Sequence, residues 1–475
     1  MKKNIIILLA GCAIGLSSCK KILDTEPRQS ISSDVALNSA AGIRGLLNNA
    51  YSNLTQSGLF GRDIIVQSEV LADNCRIATS NSNRFVNEAN NQPRAHFDDY
   101  TTIYPIINKA NLIIDYIDKV ADATAAQKAS IKGQALFLRA LLYFTLVNEY
   151  AYNPKQIVNS FNLGVPISLK GVSTVSQIEG LPRATSAQVY DQVKADLAAA
   201  ITLLDNPAGN NAKIYASKGG AQALLSRVSL YNQEYQAAID NATAAINSGV
   251  ATFVSTATVA GYQSIFNQKY SPESLFEINI DVSESNGTNS IQNIYQRLNN
   301  ASNSSSGYGD VVPSNSMLAA YEAGDLRKDA ELIAVNKAGE PVFWIQKYPG
   351  SGGQYGVDNI RVIRISEMYL NRAEAYARLG GAGNEDLARA DVNRIRARAG
   401  LPATAATGTA LIDVILKERR VELAYEGHRW FDLTRLGMNI VKDNGTLLYT
   451  DFKILPPIPI GELDINPNLV RNPGY

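Results

Sequence analysis

Three glutamates, Glu418, Glu422 and Glu426, recur at intervals of four within LIDVILKERRVELAYEGHRWFDLTRLG, so a helix there sets them on one face. Two carboxylates so placed could act as an acid/base pair on a glycosidic bond. Their surroundings argue the other way. Arg419, Arg420, Arg429 and Arg435 crowd the same stretch, and guanidinium groups keep neighbouring carboxylates ionised. A general acid needs a raised pKa instead. The stretch reads as a structural arginine–carboxylate network that also takes in Asp432.

Other catalytic chemistry is sparse. His96 and His428 are the only two histidines and stand in unrelated contexts, which excludes a histidine zinc site. No glycine-rich phosphate loop follows a strand, and no Gly-x-Ser-x-Gly elbow occurs. Cys75 has no base near it in sequence. No metal or cofactor is implied. Two carboxylates far apart in the chain could still form a surface hydrolase, but no motif argues for one. Lys plus Arg and Asp plus Glu both total 44, so nothing points to nucleic acid.

One cysteine carries a different chemistry. Met1-Lys2-Lys3 and the apolar run from Ile5 to Leu16 form an export signal too short to span a membrane. Leu16-Ser17-Ser18-Cys19 then reads as a lipobox, where small residues admit the peptidase and the thiol accepts diacylglycerol. Residues 1–18 are the expected signal peptide, and several acyl chains on Cys19 would anchor the rest firmly. Cys12 leaves with the leader, so lipidation of Cys19 leaves Cys75 without a disulfide partner.

The elements that must position these groups are mostly helical. Apolar spacing predicts helices over Ser33–Leu54, from Asp98, over Ala125–Tyr150, over Thr185–Leu204, and a pair within Lys218–Gly249. In that pair Tyr235, Ala238, Ala242 and Ala245 face Leu224, Leu225 and Tyr231, the rhythm of a tetratricopeptide-like hairpin. Three further helices run from Ile365 onward, with Asn384 placed to cap the second and Gly427 breaking the third. Extended segments are expected near Leu275–Ile280 and Pro341–Tyr348. The expected fold is mostly α: a tetratricopeptide-like helical-repeat scaffold with long loops and a few short strands. It divides in sequence into a region 19–250 and a region 251–475.

The motifs RISEMYLNRAEAYARLG, RIRARAGL and ERRVELAYEGHRWFDLTRLG, with the tail LPPIPIGELDINPNLVRNPGY, resemble the C-terminal signature of the SusD/RagB family of outer-membrane nutrient-binding lipoproteins. IYPIINKANLIIDYID, Arg139-Ala140, Tyr143-Phe144 and the Asp325-x-Arg327 element extend the likeness over most of the chain. Arg471 departs from it, standing where the family has glutamine. The resemblance implies a SusD-like fold and a non-enzymatic surface protein in the outer membrane. Such a protein binds a nutrient, an oligosaccharide or alternatively a peptide, and hands it to a SusC-like TonB-dependent transporter.

A sugar site needs flat aromatics beside planar hydrogen-bonding groups. Two polar loops offer that mixture and match the regions where the family binds ligand. The first contains Asp73, Asn74, Arg76, Asn81, Arg84, Phe85 and His96; the second, rich in Ser, Asn and Gly, contains Tyr295 and Tyr308, with Trp344 soon after. Composition alone reads the second loop as a linker, and FWIQKY also reads as a buried strand with its indole in the core. The ligand candidates are Asp73, Asn74, Arg76, Arg84, Tyr295, Tyr308 and Trp344. For the anchor, Cys19→Ser is expected to move the protein out of the membrane pellet on cell fractionation; a variant retained there with normal processing would refute lipidation.

Overall fold

The computed structural model describes residues 37–296, 298–300, 303–350 and 355–475; the leader and Cys19 lie outside them. The first described helix, α1 (Ala40–Asn53), starts where the Ser39 hydroxyl accepts from the Gly42 N–H. The buried helix α2 (Asp63–Val70) and the short strand β1 (Cys75–Ile77) follow. Helix α3 (Tyr100–Tyr116) leads to α4 (Ala125–Tyr150), whose N-terminus is closed by a Thr124/Gln127 capping box. Helix α4 is long and apolar enough to cross a membrane, yet most of it is buried in this protein. Its Arg139 is neutralised by Asp196 at 2.7 Å.

That aspartate lies on α5 (Ser186–Leu203), which packs along α4. The hairpin α6 (Lys218–Tyr231) and α7 (Tyr235–Ile246) comes next, closed by buried Ala238, Ala242 and Ala245, which let the two backbones approach. After a long excursion come α8 (Ile365–Leu379), α9 (Ala382–Arg398), α10 (Gly408–Glu422) and α11 (Arg429–Arg435). From α3 to α9 each of these helices packs on the next, so α7 lies directly on α8 although residues 247–364 separate them. This is a helical-repeat stack in which each hairpin covers its neighbour's apolar face.

The excursion carries the strands. β2 (Ser274–Ile278) runs antiparallel to β6 (Ile360–Arg364), which leads straight into α8. β3 (Val311–Pro313) pairs antiparallel with β1. β4 (Leu332–Lys337) and β5 (Glu340–Ile345) form a hairpin. Its turn residues Ala338 (φ 52°) and Gly339 (φ 90°) are both left-handed, which suits the twist of a two-residue hairpin. The main apolar cluster draws on residues from Leu37 to Ile458, on both sides of residue 250.

Two local expectations need correction. Helix α9 begins at Ala382, and Asn384 sits inside its first turn, its amide donating back to the Gly380 carbonyl. Two left-handed glycines, Gly380 and Gly381, make the break earlier than the capping signal suggests. Helix α10 stops at Glu422 rather than running to Gly427, and left-handed Tyr425 (φ 66°) turns the chain so that Glu426 lies beyond the helix.

Candidate functional site

The glutamates of α10 and its following turn are buried and paired. Arg364 donates Nε to Glu426 at 2.6 Å and Nη1 to Glu273 at 2.8 Å and to Glu422 at 3.1 Å. Arg398 reaches Glu422 at 2.6 Å and also contacts Glu273. Lys347 bridges Glu426 at 2.8 Å and Glu331 at 3.0 Å. Arg327 lies 2.7 Å from Asp325 and 2.5 Å from Glu418. Burial pushes the Glu422 carboxyl up, but Arg398, Arg364 and Arg327 outweigh it and bring it down to about 2. Glu426 is likewise driven low, by Arg364 and Lys347 against its burial. Carboxylates so held carry no proton to donate near neutral pH.

The histidines are internal too. Burial lowers His428 to about 4 and His96 to about 3, and His96 stands edge-on to Trp430 with ring centroids 4.9 Å apart.

Three of the expected ligand contacts are held by internal ties. Asp73 accepts from Arg429 Nε at 2.6 Å and lies 3.4 Å from Arg420. Burial raises its carboxyl, yet these arginines leave it below its usual value. Asn74 donates to Glu69 at 2.7 Å and accepts from Arg420 at 2.9 Å, across 346 positions of chain. Tyr295 is fully enclosed between the rings of Tyr348 and Tyr425. Asn74 and Tyr295 are almost wholly enclosed, while Asp73 turns an edge to a neighbouring cavity.

The other four meet on one surface. Arg76 on β1 reaches Glu340 on β5 at 2.7 Å, and Glu340 also accepts the Thr79 N–H at 2.6 Å. The Arg84 guanidinium lies 4.3 Å from the Tyr308 ring centroid and donates to the Thr288 carbonyl at 3.1 Å. Trp344 on β5 packs over the Gly309 backbone so closely that a Cβ there would sit 2.6 Å from the indole Nε1. Gly309 also has φ 54°, so glycine serves both the turn and the close approach.

Two polar residues clamp these segments together. Lys337 Nζ donates to the carbonyls of Tyr308 and Gly309, at 2.6 and 2.8 Å, and to Asp310 at 2.8 Å. Asp310 in turn accepts from the Ser82 N–H at 3.0 Å. Tyr355 stands close by, its hydroxyl raised to about 12 by burial and then by Tyr308. Neither Lys337 nor Asp310 carries a signal in the sequence; Tyr355, an aromatic after a glycine run, could have been picked out as Tyr308 was. Beside this cluster a cavity of about 340 Å³ is lined by Arg76, Asn81, Ser314 and Lys442 among others. Burial lowers the Lys442 amine to about 7, and it donates to the Val70 and Ala89 carbonyls at 2.7 Å each.

Comparison with known proteins bears on both scaffold and surface. The profile described as the SusD family matches residues 337–475, and one described as starch-binding, associating with the outer membrane, matches residues 21–230. The chain belongs to the SusD/RagB family. SusD-like protein P2 of Formosa agariphila is 26% identical, over 99% of this chain and 98% of its own. The starch-binding protein SusD of Bacteroides thetaiotaomicron is 32% identical over 137 residues, 27% of this chain and 23% of that one. A crystal structure of a SusD superfamily protein from the same organism superposes with a TM-score of 0.79 at 27% identity, covering 92% of this chain and 100% of the other. The mostly helical SusD-like fold expected from the motifs is thus the fold observed. The family is one of glycan-binding proteins associated with the outer membrane.

Glu422→Gln leaves three buried guanidinium groups undercompensated and is expected to cost about 3–5 kcal/mol in urea unfolding. Because the folded-state carboxyl of Glu422 lies near 2, below its unfolded value, its stabilisation is present above the unfolded pKa. It is lost as pH falls toward 2. The wild-type stability should therefore drop through this range more steeply than that of the variant; parallel pH profiles would contradict the network's role.

Proposed function

We propose that this protein captures a glycan at the surface of the outer membrane and passes it unaltered to a SusC-like TonB-dependent transporter. The observation that carries the reading is the Arg84–Tyr308 stack beside Trp344. It offers an aromatic platform for the C–H face of a sugar and a guanidinium fork for a vicinal pair of hydroxyls. Arg76 and Glu340 extend the polar rim. A relative whose name is starch-binding supports the ligand class. Turnover is not part of the reading, because the one carboxylate pair with suggestive spacing is held ionised within the protein. Lipid on Cys19 holds the chain at the membrane, facing the cell surface. The transporter partnership rests on family membership.

Binding of the leaderless chain to a glycan array, followed by calorimetry on any hit, tests the ligand. Arg84→Ala and Tyr308→Ala should each weaken binding by about 1–3 kcal/mol without moving the melting temperature. Asp73→Ala should do the reverse, lowering the melt and sparing affinity. Wild-type affinity in both Arg84→Ala and Tyr308→Ala would place the site elsewhere. Gentle detergent extraction from the native host should recover a large β-barrel with the protein; recovery of the protein alone would count against the partnership.

A further inference from the structure

Residues 281–290 form a ridge with two working sides. On one side the Thr288 carbonyl accepts from Arg84, at the cluster just described. On the other, Glu284 accepts from the Ser52 hydroxyl at 2.6 Å and the Asn286 amide donates to the Thr55 carbonyl at 2.7 Å. Past Glu284 opens a groove of about 430 Å³ between α1, the turn after the short helix Asn211–Ile214 and the end of β2. Asn48, Asn49, Tyr215, Asn279, Asp281 and Glu284 line it.

Its aromatic wall, Tyr215 backed by Tyr51, is braced. Tyr215 stands edge-on to Tyr51 with ring centroids 5.3 Å apart. Tyr51 is itself fixed, its hydroxyl donating to Gln134 at 3.1 Å and accepting the Ala216 N–H at 2.9 Å. Tyr215 remains half-exposed, while Asn48 and Asn49 present their amides to solvent. The Asn279 Oδ1 is enclosed at the groove, and no donor reaches it among the described residues. A held ring with amides around it is the composition that recognises a sugar. Nothing in the ionic network or the hairpin clamps uses these groups.

We propose that this groove is a second contact for the same glycan chain, taking units beyond those held at the Arg84–Tyr308 cluster. The inference rests on the glycan reading above. From Glu284 to Thr288 is at most about 14 Å of chain, and the 3₁₀ turns Val282–Glu284 and Gly287–Asn289 shorten that span. An oligosaccharide of several units crosses the ridge and touches both sides. The carboxylates of Asp281 and Glu284, set against the single Lys269 on Asp281 at 3.3 Å, select a neutral chain over an acidic one.

The test is electrophoresis of the full chain in native gels cast with soluble starch, laminarin, arabinoxylan or polygalacturonate. Calorimetry then follows on disaccharide and long fragments of whichever polymer retards it. Tyr215→Ala and Asn49→Ala should weaken long-fragment binding about tenfold and leave disaccharide binding unchanged. Tyr215→Phe, which keeps the ring, should bind as wild type, and an unchanged melting temperature checks the fold of each variant. Arg84→Ala should weaken both fragment lengths. Long-fragment affinity equal to wild type in Tyr215→Ala and Asn49→Ala overturns the groove and leaves the first site standing. Retardation by polygalacturonate alone overturns the neutral chain. No retardation of the wild type in any gel overturns the glycan reading and the groove with it.

Discussion

Arg364 is the point through which distant parts of this chain are tied. It ends β6 at the threshold of α8, and its one guanidinium serves Glu273 before β2, Glu422 at the end of α10 and Glu426 in the turn beyond. Each of these charges is almost wholly shielded from water. Stripping an ion of water costs several kcal/mol, and that cost is offset only when every partner is in place. A partly assembled set is therefore worse than none. The excursion, the last helices of the stack and the C-terminal turn must close together.

A second set extends the tie across the stack. Arg227 on α6 meets Glu367 on α8 at 2.6 Å, Arg419 on α10 meets Asp432 on α11 at 2.8 Å, and Arg435 joins Asp432 to Glu374. Burial raises the Asp432 carboxyl, but Arg419 and Arg435 prevail and hold it far below its usual range. These ion pairs set which helix faces which, a matter the apolar stripes leave loose because Leu and Ala pack in many registers. Sequence motifs that look catalytic in this family member are mostly this scaffold, and the proposed ligand surface draws on less conspicuous residues.

The helices were the legible part. Ala125–Tyr150 is bounded as its apolar spacing predicts, and α5 differs from Thr185–Leu204 by a residue at each end, because local capping and apolar spacing decide both. The carboxylate network was legible in kind but only partly in its partners: Arg419 and Arg435 do serve nearby Asp432, whereas Glu418, Glu422 and Glu426 are met by Arg327, Lys347, Arg364 and Arg398 from farther along the chain. The internal partners of Asp73, Asn74 and Tyr295, which are Arg429, Arg420 and Tyr425, were not legible because they lie hundreds of positions away or across the excursion. A polar loop in sequence does not reveal whether its side chains point to solvent or to a buried arginine. Arg84, Tyr308 and Trp344 could be named as candidates; that Lys337 and Asp310 clamp them into one surface is a fact of tertiary structure alone.

Because α7 rests directly on α8, the ends of residues 247–364 are held together by the stack and not by the segment itself. The entropy of closing such a loop grows only logarithmically with its length, so doubling it adds about 0.6 kcal/mol. Lengthening, trimming or rewriting the loops between β2 and β6, so long as Arg327, Glu331 and Lys347 are kept, leaves the helix contacts on either side untouched. Selection can thus act on these loops almost independently of selection on folding. One scaffold can serve a lineage whose members differ in what they capture while sharing how they stand.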